Sequence, residues 1–484
     1  MNRSIGRVGI VLFVLFGALF VNLNVITLIQ ADDLATHPAN RRLIVQEYGI
    51  ARGPIVVGDE AIASSTPTDG ELRYLRTYAS GPRYAHLTGY YSVVLQRSGL
   101  EAAFNEALTG RPTEVVAQNL GELLGSANRP GNAVQLTIDA RIQEAAQSAL
   151  GDREGAVVVV DPRSGAVLAS YANPTYDPNP LSSHDRAEIR DAWDALRDRD
   201  DRPLVDRATR EIYPPGSTFK LIVAAAALEA GITPDALFPD EVVYDVPQTT
   251  ANIGNFSGGA CRGDDEISLE DAFAVSCNTV FARLGVELGD ADLVRQAERF
   301  GFNRSMPYEL GVSDSVIPRD LDVPQTAQSA IGQRDVRATP MHLALIAAAV
   351  ANGGELHRPH VVANVRNPEG ELVMGPQEGL WTGAGGDGRP VSARTAEQLR
   401  QMMLAAVTSG TGQAARIEGV EVGGKTGTAQ TGTTPVAWFA GFAGNEVAIA
   451  VMLPDGGADA TGGGLAAPIA REVLQVAVDR EQQR

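Results

Sequence analysis

Ser217 and Lys220 stand three positions apart in Gly216-Ser217-Thr218-Phe219-Lys220, at the head of an alanine-rich apolar run that ends at Gly231. Residues three apart share one face of a helix, so the Lys220 amine comes within hydrogen-bonding range of the Ser217 hydroxyl. A serine hydroxyl attacks a carbonyl only when a base removes its proton. A lysine buried against apolar surface near a second cation has a depressed pKa and can be that base. The helix N-terminus adds positive potential where an oxyanion would form. The pair points to acyl transfer through a covalent serine intermediate.

Two further stretches carry compatible chemistry. Ser276-Cys277-Asn278 offers a hydroxyl to relay protons and an amide to hold a substrate, two residues apart. Lys425-Thr426-Gly427-Thr428 follows Val420-Glu421-Val422. On a strand, Lys425 and Gly427 fall on one face and Thr426 and Thr428 on the other. Gly427 would let a substrate backbone lie close against an edge strand. Each pattern is common by chance, and the weight lies in all three occurring in this order.

Rival chemistries fit less well. Gly419-Val420-Glu421-Val422-Gly423-Gly424-Lys425-Thr426 matches the phosphate-binding loop pattern letter for letter. That loop needs a helix straight after its Lys-Thr, and Gly427-Thr428-Ala429-Gln430-Thr431-Gly432 cannot open one. There is no Gly-x-Ser-x-Gly elbow. The histidines, including His357-x-x-His360, read as solvated or loop residues, not as a base or a metal pair. No metal and no cofactor are expected. With a net charge of −19 the surface repels phosphate backbones, so no nucleic-acid partner is expected.

The elements that must position these residues read as α+β: a mainly antiparallel sheet flanked by helices. Ala156–Val160 and Ala166–Ala169 bracket an Asp-Pro-x-x-Gly turn and form a hairpin. Val420–Val422 onward, Val436–Phe442 and Val447–Leu453 supply three further strands. Helices are expected over 139–150 with Asp139 as N-cap, and over 217–230, 268–289, 339–352 and about 466–480. Residues 184–210 read as a solvated helix and loop.

Three segments follow: 1–31 as a cytoplasmic tip and membrane anchor, 32–130 as a non-catalytic module, and 131–484 as the catalytic domain. The module reads as mixed, with strand-like runs at 42–50 and 53–57 and a turn-rich piece at 64–70. Arg3 and Arg7 precede the apolar stretch from Val8 to Ile29, and Asp32 and Asp33 follow it. That asymmetry places the N-terminus inside and the bulk of the chain outside the cytoplasmic membrane. Asn22 and Asn24 shorten the uninterrupted apolar part toward signal-peptide length, but no small-x-small cleavage site precedes Asp32, so a retained anchor is favoured. Cys261 and Cys277 are the cysteines; a disulfide and two unpaired core thiols are both open readings.

The ordered trio resembles the active-site set of penicillin-binding proteins and serine β-lactamases. The likeness spans 131–484, through Tyr213-Pro214-Pro215-Gly216, Gly332-Gln333, Ala351-Asn352-Gly353-Gly354 and Trp438-Phe439-Ala440-Gly441-Phe442. The short N-terminal part leaves no room for a glycosyltransferase, which suits a class B, transpeptidase-only member. Arg52-Gly53-Pro54-Ile55 resembles the A-type subfamily of actinobacteria. The resemblance implies a peptidoglycan D,D-transpeptidase acting in wall synthesis and cell division, inhibited by β-lactams, with stem peptides ending in D-Ala-D-Ala as substrate. It implies Ser217 as nucleophile, Lys220 as base, and Ser276 and Asn278 as proton relay and substrate orienter. It also implies Lys425 as field source, Thr426, Gly427 and Thr428 as substrate-binding residues, and the N–H groups of Ser217 and Thr428 as oxyanion hole. Division or elongation proteins are expected partners. Two departures from the pattern stand out: no sensor domain follows the last helix, and a cysteine sits between Ser276 and Asn278, where a Cys261–Cys277 bridge would brace the Asn278 loop. The alternatives are a D,D-carboxypeptidase on the same fold and a non-enzymatic penicillin-binding scaffold.

Overall fold

The computed structural model describes residues 2–29, 41–110, 130–384, 386–432, 434–457 and 460–481. At its centre lies a five-stranded sheet in the order Val422–Ala429, Val436–Ala443, Val447–Leu453, Gly155–Val160, Val167–Asn173. Every neighbouring pair in it is antiparallel. Its inner strands Val436–Ala443, Val447–Leu453 and Gly155–Val160 are apolar at every position because both faces are covered. Val157, Val159, Ile449 and Val451 pack on one side with the helices Ala140–Leu150 and Ala467–Glu481. Val158, Val160, Ala450 and Met452 face the other side, with the helices Lys220–Glu229, Pro340–Ala351 and Ala393–Thr408. Lys220–Glu229 and Pro340–Ala351 are apolar all round, as buried core helices are. Asp139 caps the first outer helix, accepting the N–H groups of Arg141 and Ile142.

A second, six-stranded sheet runs Leu372–Met374, Val362–Arg366, Ala133–Leu136, Ile55–Val57, Glu60–Pro67, Tyr74–Tyr78. Its one parallel pair joins Ile55–Val57 to Ala133–Leu136. The helix Asn2–Asn24 and the π-helical turn Val25–Ile29 that continues it carry an apolar span, Gly6–Thr27, of 22 residues, long enough to cross a hydrocarbon layer of roughly 30 Å. The polar groups near its end are satisfied by the helix itself: Asn24 Nδ2 donates to Phe20 O at 2.7 Å and Thr27 Oγ1 to Leu23 O at 2.7 Å.

Several local expectations are corrected. The 42–50 run is a helix over Arg41–Glu47, because Arg, Leu, Gln and Glu outweigh two β-branched residues. Ser64–Pro67 continues a strand, held by the cross-strand pair Ser64 Oγ···Thr77 Oγ1 at 3.2 Å. The 268–289 helix is two helices, Leu269–Ala274 and Asn278–Leu288, broken at Ser276. The 184–210 stretch is solvated over Arg186–Arg197, but Arg207 is fully buried, with Nη2 on Asp201 O at 2.7 Å and Nε on Glu154 at 2.8 Å.

Polar pairing also holds the N-terminal part. Glu101 is buried between two buried arginines, at 2.8 Å from Arg52 Nε and 2.6 Å from Arg76 Nε. Burial alone would raise its pKa; Arg76 and then Arg52 outweigh that and hold it below the ordinary carboxylate value. Glu101→Ala leaves two buried cations uncompensated and is expected to cost about 3–5 kcal/mol in a urea unfolding experiment. Because the folded pKa is depressed, the Glu101 contribution is present above the unfolded value of 4.5 and is lost as pH falls through the folded one.

Candidate active site

Ser217 lies in a single 3-10 turn, Gly216–Phe219, that feeds the buried helix Lys220–Glu229. The turn is held by backbone contacts that only glycine permits. Gly216 sits at φ +54° and donates its N–H to Gly332 O at 2.9 Å. A Cβ on Gly332, itself at φ +70°, would stand 1.9 Å from Gly216 O. Upstream, Tyr213 and Ala338 form an antiparallel bridge, and Trp438 Nε1 donates to Pro214 O at 2.9 Å. A Cβ on Gly216 would meet the Thr428 carbonyl at 2.9 Å, so the backbones of the nucleophile turn and the Lys425 strand abut.

That contact corrects the reading of Gly427. A Cβ there would meet Pro215 O at 2.7 Å and Thr218 Cγ2 at 2.9 Å. The space Gly427 leaves is filled by the chain's own nucleophile turn, not kept for a substrate.

Lys220 and Lys425 are the chain's two lysines, and both are fully buried. Lys220 Nζ donates to Ser276 O at 2.7 Å and to Asn278 Oδ1 at 2.6 Å, and stands 3.3 Å from Ser276 Oγ. The expected direct bond to Ser217 is not among its hydrogen bonds in this resting state. A buried amine takes the strongest acceptors within reach, and the inward-turned Ser276 carbonyl is one. Burial drives the Lys220 pKa far below the ordinary value, and the charge of Lys425 pushes it further. Burial alone brings Lys425 down to about 7. Lys425 lies 5.5 Å from the centre of the Phe273 ring.

Ser276 forms the corner between two helices at φ +64°, a left-handed conformation that a residue with a Cβ rarely takes. The corner is fixed by Ser276 N–H on Phe273 O at 3.1 Å and Cys277 N–H on Ala272 O at 2.7 Å. A disulfide joins Cys277 to Cys261. Asp240 lies beside the two sulfurs, but its carboxylate accepts the N–H groups of Cys261, Arg262 and Gly263 at 2.7–2.8 Å.

The strand Val422–Ala429 runs straight through Gly-Gly-Lys-Thr-Gly, a geometry incompatible with a phosphate-binding loop. Thr426 and Thr428 point from it into a cleft of about 780 Å³ that Ser217, Ser276 and Asn278 also line. Thr426 Oγ1 is 2.6 Å from Thr411 Oγ1, and Thr428 Oγ1 accepts the Gly462 N–H at 3.3 Å. Three distant stretches thus meet in one pocket, with Lys425 behind its wall. Asn255, Phe256, Gln333, Thr411 and Thr461 also line the cleft. Of these, only Gln333 carried a signal in the sequence, beside Gly332.

The chain matches the family described as penicillin binding protein transpeptidase domain over residues 155–475. It matches the penicillin binding protein A dimerisation domain over residues 52–134. It is 38% identical to the peptidoglycan D,D-transpeptidase PbpA of Mycolicibacterium smegmatis, covering 99% of both chains. It is 36% identical to the PbpA of Mycobacterium tuberculosis, over 99% of this chain and 100% of that one. Among solved structures, the ceftriaxone acyl-enzyme complex of penicillin-binding protein A from M. tuberculosis superposes with a TM-score of 0.83 at 36% identity, covering 90% of this chain and 100% of the other. The penicillin G acyl-enzyme of the same protein superposes at 0.82, covering 89% of this chain and 100% of the other. With that likeness over nearly its whole length, and with nucleophile, amine and Lys-Thr-Gly strand meeting in one cleft, this chain belongs to the penicillin-binding protein transpeptidase family.

Proposed function

We infer that the protein is a serine peptidoglycan D,D-transpeptidase that cross-links stem peptides during wall growth and cell division and is acylated by β-lactams. The observation that carries this reading is the buried amine of Lys220, one helical turn from Ser217 and bonded to both Ser276 and Asn278.

Ser217 Oγ attacks the carbonyl of the penultimate D-Ala while its proton passes to neutral Lys220, directly or through Ser276. The C–O bond forms as the carbonyl π pair moves onto oxygen, where the N–H groups of Ser217 and Thr428 receive it. Collapse breaks the C–N bond, and the proton returns through Ser276 to the leaving D-Ala amine. An acceptor amine then attacks the acyl-enzyme and gives its proton to the same base; as the new C–N bond forms and the acyl C–O bond breaks, that proton passes to Ser217 Oγ, which is released as the hydroxyl. Thr426 and Thr428 hold the terminal carboxylate, with the Lys425 charge behind them. Asn278 orients the peptide amide. Base assistance contributes about 10²–10⁴-fold and one oxyanion donor about 10²–10³-fold.

Arg3 and Arg7 before the apolar helix keep the N-terminus in the cytoplasm and the cleft outside, where its substrate lies. Residues 32–130 serve as a non-catalytic module that supports the catalytic domain and offers a surface to division or elongation proteins.

Ser217→Ala is expected to abolish covalent labelling by a fluorescent penicillin, while Thr426→Ala slows labelling without ending it; a labelled Ser217→Ala protein overturns the assignment. The acylation rate is expected to fall above pH of about 7, as Lys425 loses its charge. Lys425→Arg, always charged, moves that alkaline limb upward. With a D-Ala-D-Ala peptide and an amine acceptor, mass spectrometry is expected to show the cross-linked product. Hydrolysis alone under those conditions makes the enzyme a carboxypeptidase.

A further inference from the structure

We propose that Asn255 is a positioning residue for the reaction: its side chain fixes Asn278, and through Asn278 the hydrogen-bonding of the Lys220 amine. The inference rests on the transpeptidase reading and concerns the same cleft. Asn255 lies outside the three catalytic stretches, just past the short strand Asn252–Gly254 at the cleft wall.

The helix Asn278–Leu288 begins without a cap of its own, since Cys277, its N-cap residue, makes no side-chain capping bond. The first N–H groups of a helix have no partner within it. Asn255 Oδ1 accepts two of them, from Asn278 at 3.0 Å and Thr279 at 3.1 Å. Its Nδ2 donates to Glu241 O at 2.9 Å and Gly259 O at 3.0 Å. All four contacts agree with one orientation of the carboxamide. The flipped orientation would set oxygen against two carbonyls and nitrogen against two N–H groups. The side chain is therefore a rigid cap supplied from outside the helix.

The adjoining residue completes the grip. Gly254 O accepts Asn278 Nδ2 at 3.1 Å, leaving Asn278 Oδ1 aimed at Lys220 Nζ, 2.6 Å away. The backbone of Asn278 is thus set by Asn255, its carboxamide by Gly254, and the amine of the base rests on the outcome. Cys261, bridged to Cys277, ties the far end of the same loop to the same corner. Removing the Asn255 cap frees the first turn to shift, and the Asn278 carbonyl oxygen then no longer meets the Lys220 amine at a fixed distance.

The test is a double-mutant cycle read as the rate constant for acylation by a fluorescent penicillin, each rate normalised to the protein finally acylated so that unfolded molecules do not count. Asn255→Ala is expected to slow acylation about tenfold, the effect of one well-placed hydrogen bond. In an Asn278→Ala background the same change is expected to cost less than about twofold, because the residue it acts through is gone. Asn255→Asp keeps an oxygen for both N–H groups but sets its second oxygen against the carbonyls of Glu241 and Gly259, so it recovers only part of the rate, while its charge beside Asn278 moves the acid limb of the pH profile upward by favouring charged Lys220. A parent-like rate in Asn255→Ala overturns the proposal, as does a loss undiminished in the Asn278→Ala background or an Asp variant whose acid limb stays at the parent's pH. Failure of the parent protein to be acylated would sink the transpeptidase reading instead.

Discussion

An ammonium group taken out of water must find oxygen acceptors or give up its proton, and the cleft is arranged around that requirement at Lys220. Its two short contacts, to Ser276 O and Asn278 Oδ1, use groups with no formal charge. No carboxylate forms an ion pair with either lysine among the described residues, so burial and mutual repulsion both favour the neutral amine. A neutral amine near pH 7 is what a general base must be. The inward-facing Ser276 carbonyl requires a left-handed residue, a conformation that costs on the order of 1 kcal/mol for a side chain with a Cβ. The contact with Lys220 offsets that cost, which ties local strain directly to the base. The charge that Lys425 retains below pH of about 7, with no counter-ion beside it, is left to draw an anionic peptide terminus in a chain of net charge −19.

The second constraint is steric. Gly216, Gly332 and Gly427 lie where three backbone segments touch, and a methyl group at any of them would collide with main-chain atoms. The nucleophile turn is consequently wedged between the 332 corner and the Lys425 strand, with Trp438 fastening Pro214 from the neighbouring strand. Serine attack demands a hydroxyl fixed to within a fraction of an ångström, and this wedge supplies that fixity.

Much of this was legible in the residues. Apolar runs marked the strands of the central sheet, and the resemblance to a known active-site set singled out Ser217, Ser276 and Asn278, which line the cleft, and Lys220 and Lys425, which lie buried outside its lining. What escaped was whatever depends on partners distant in sequence. The helix at Arg41–Glu47 was hidden by two β-branched residues, and the break at Ser276 carries neither glycine nor proline to announce it. The burial of Arg207 depends on Glu154 and on a turn carbonyl. The packing role of Gly427 appears only once Pro215 lies beneath it, and Asn255 belongs to no pattern at all. Even the N-terminal sheet is assembled from afar, since Ala133–Leu136 pairs with Val362–Arg366.

The chain carries 40 basic side chains and uses arginine for all but two of them. Arginine stays protonated under ordinary conditions and serves for ion pairs both at the surface and in the interior, while the two lysines, whose amines can shed a proton, are both buried beside the cleft. One practical result concerns spectroscopy. A sample isotopically enriched in lysine alone would contain two side-chain reporters, both buried beside the catalytic cleft and against a silent background. The ionisation of the base and of its neighbour could then be followed separately, atom by atom, while an antibiotic reacts beside them.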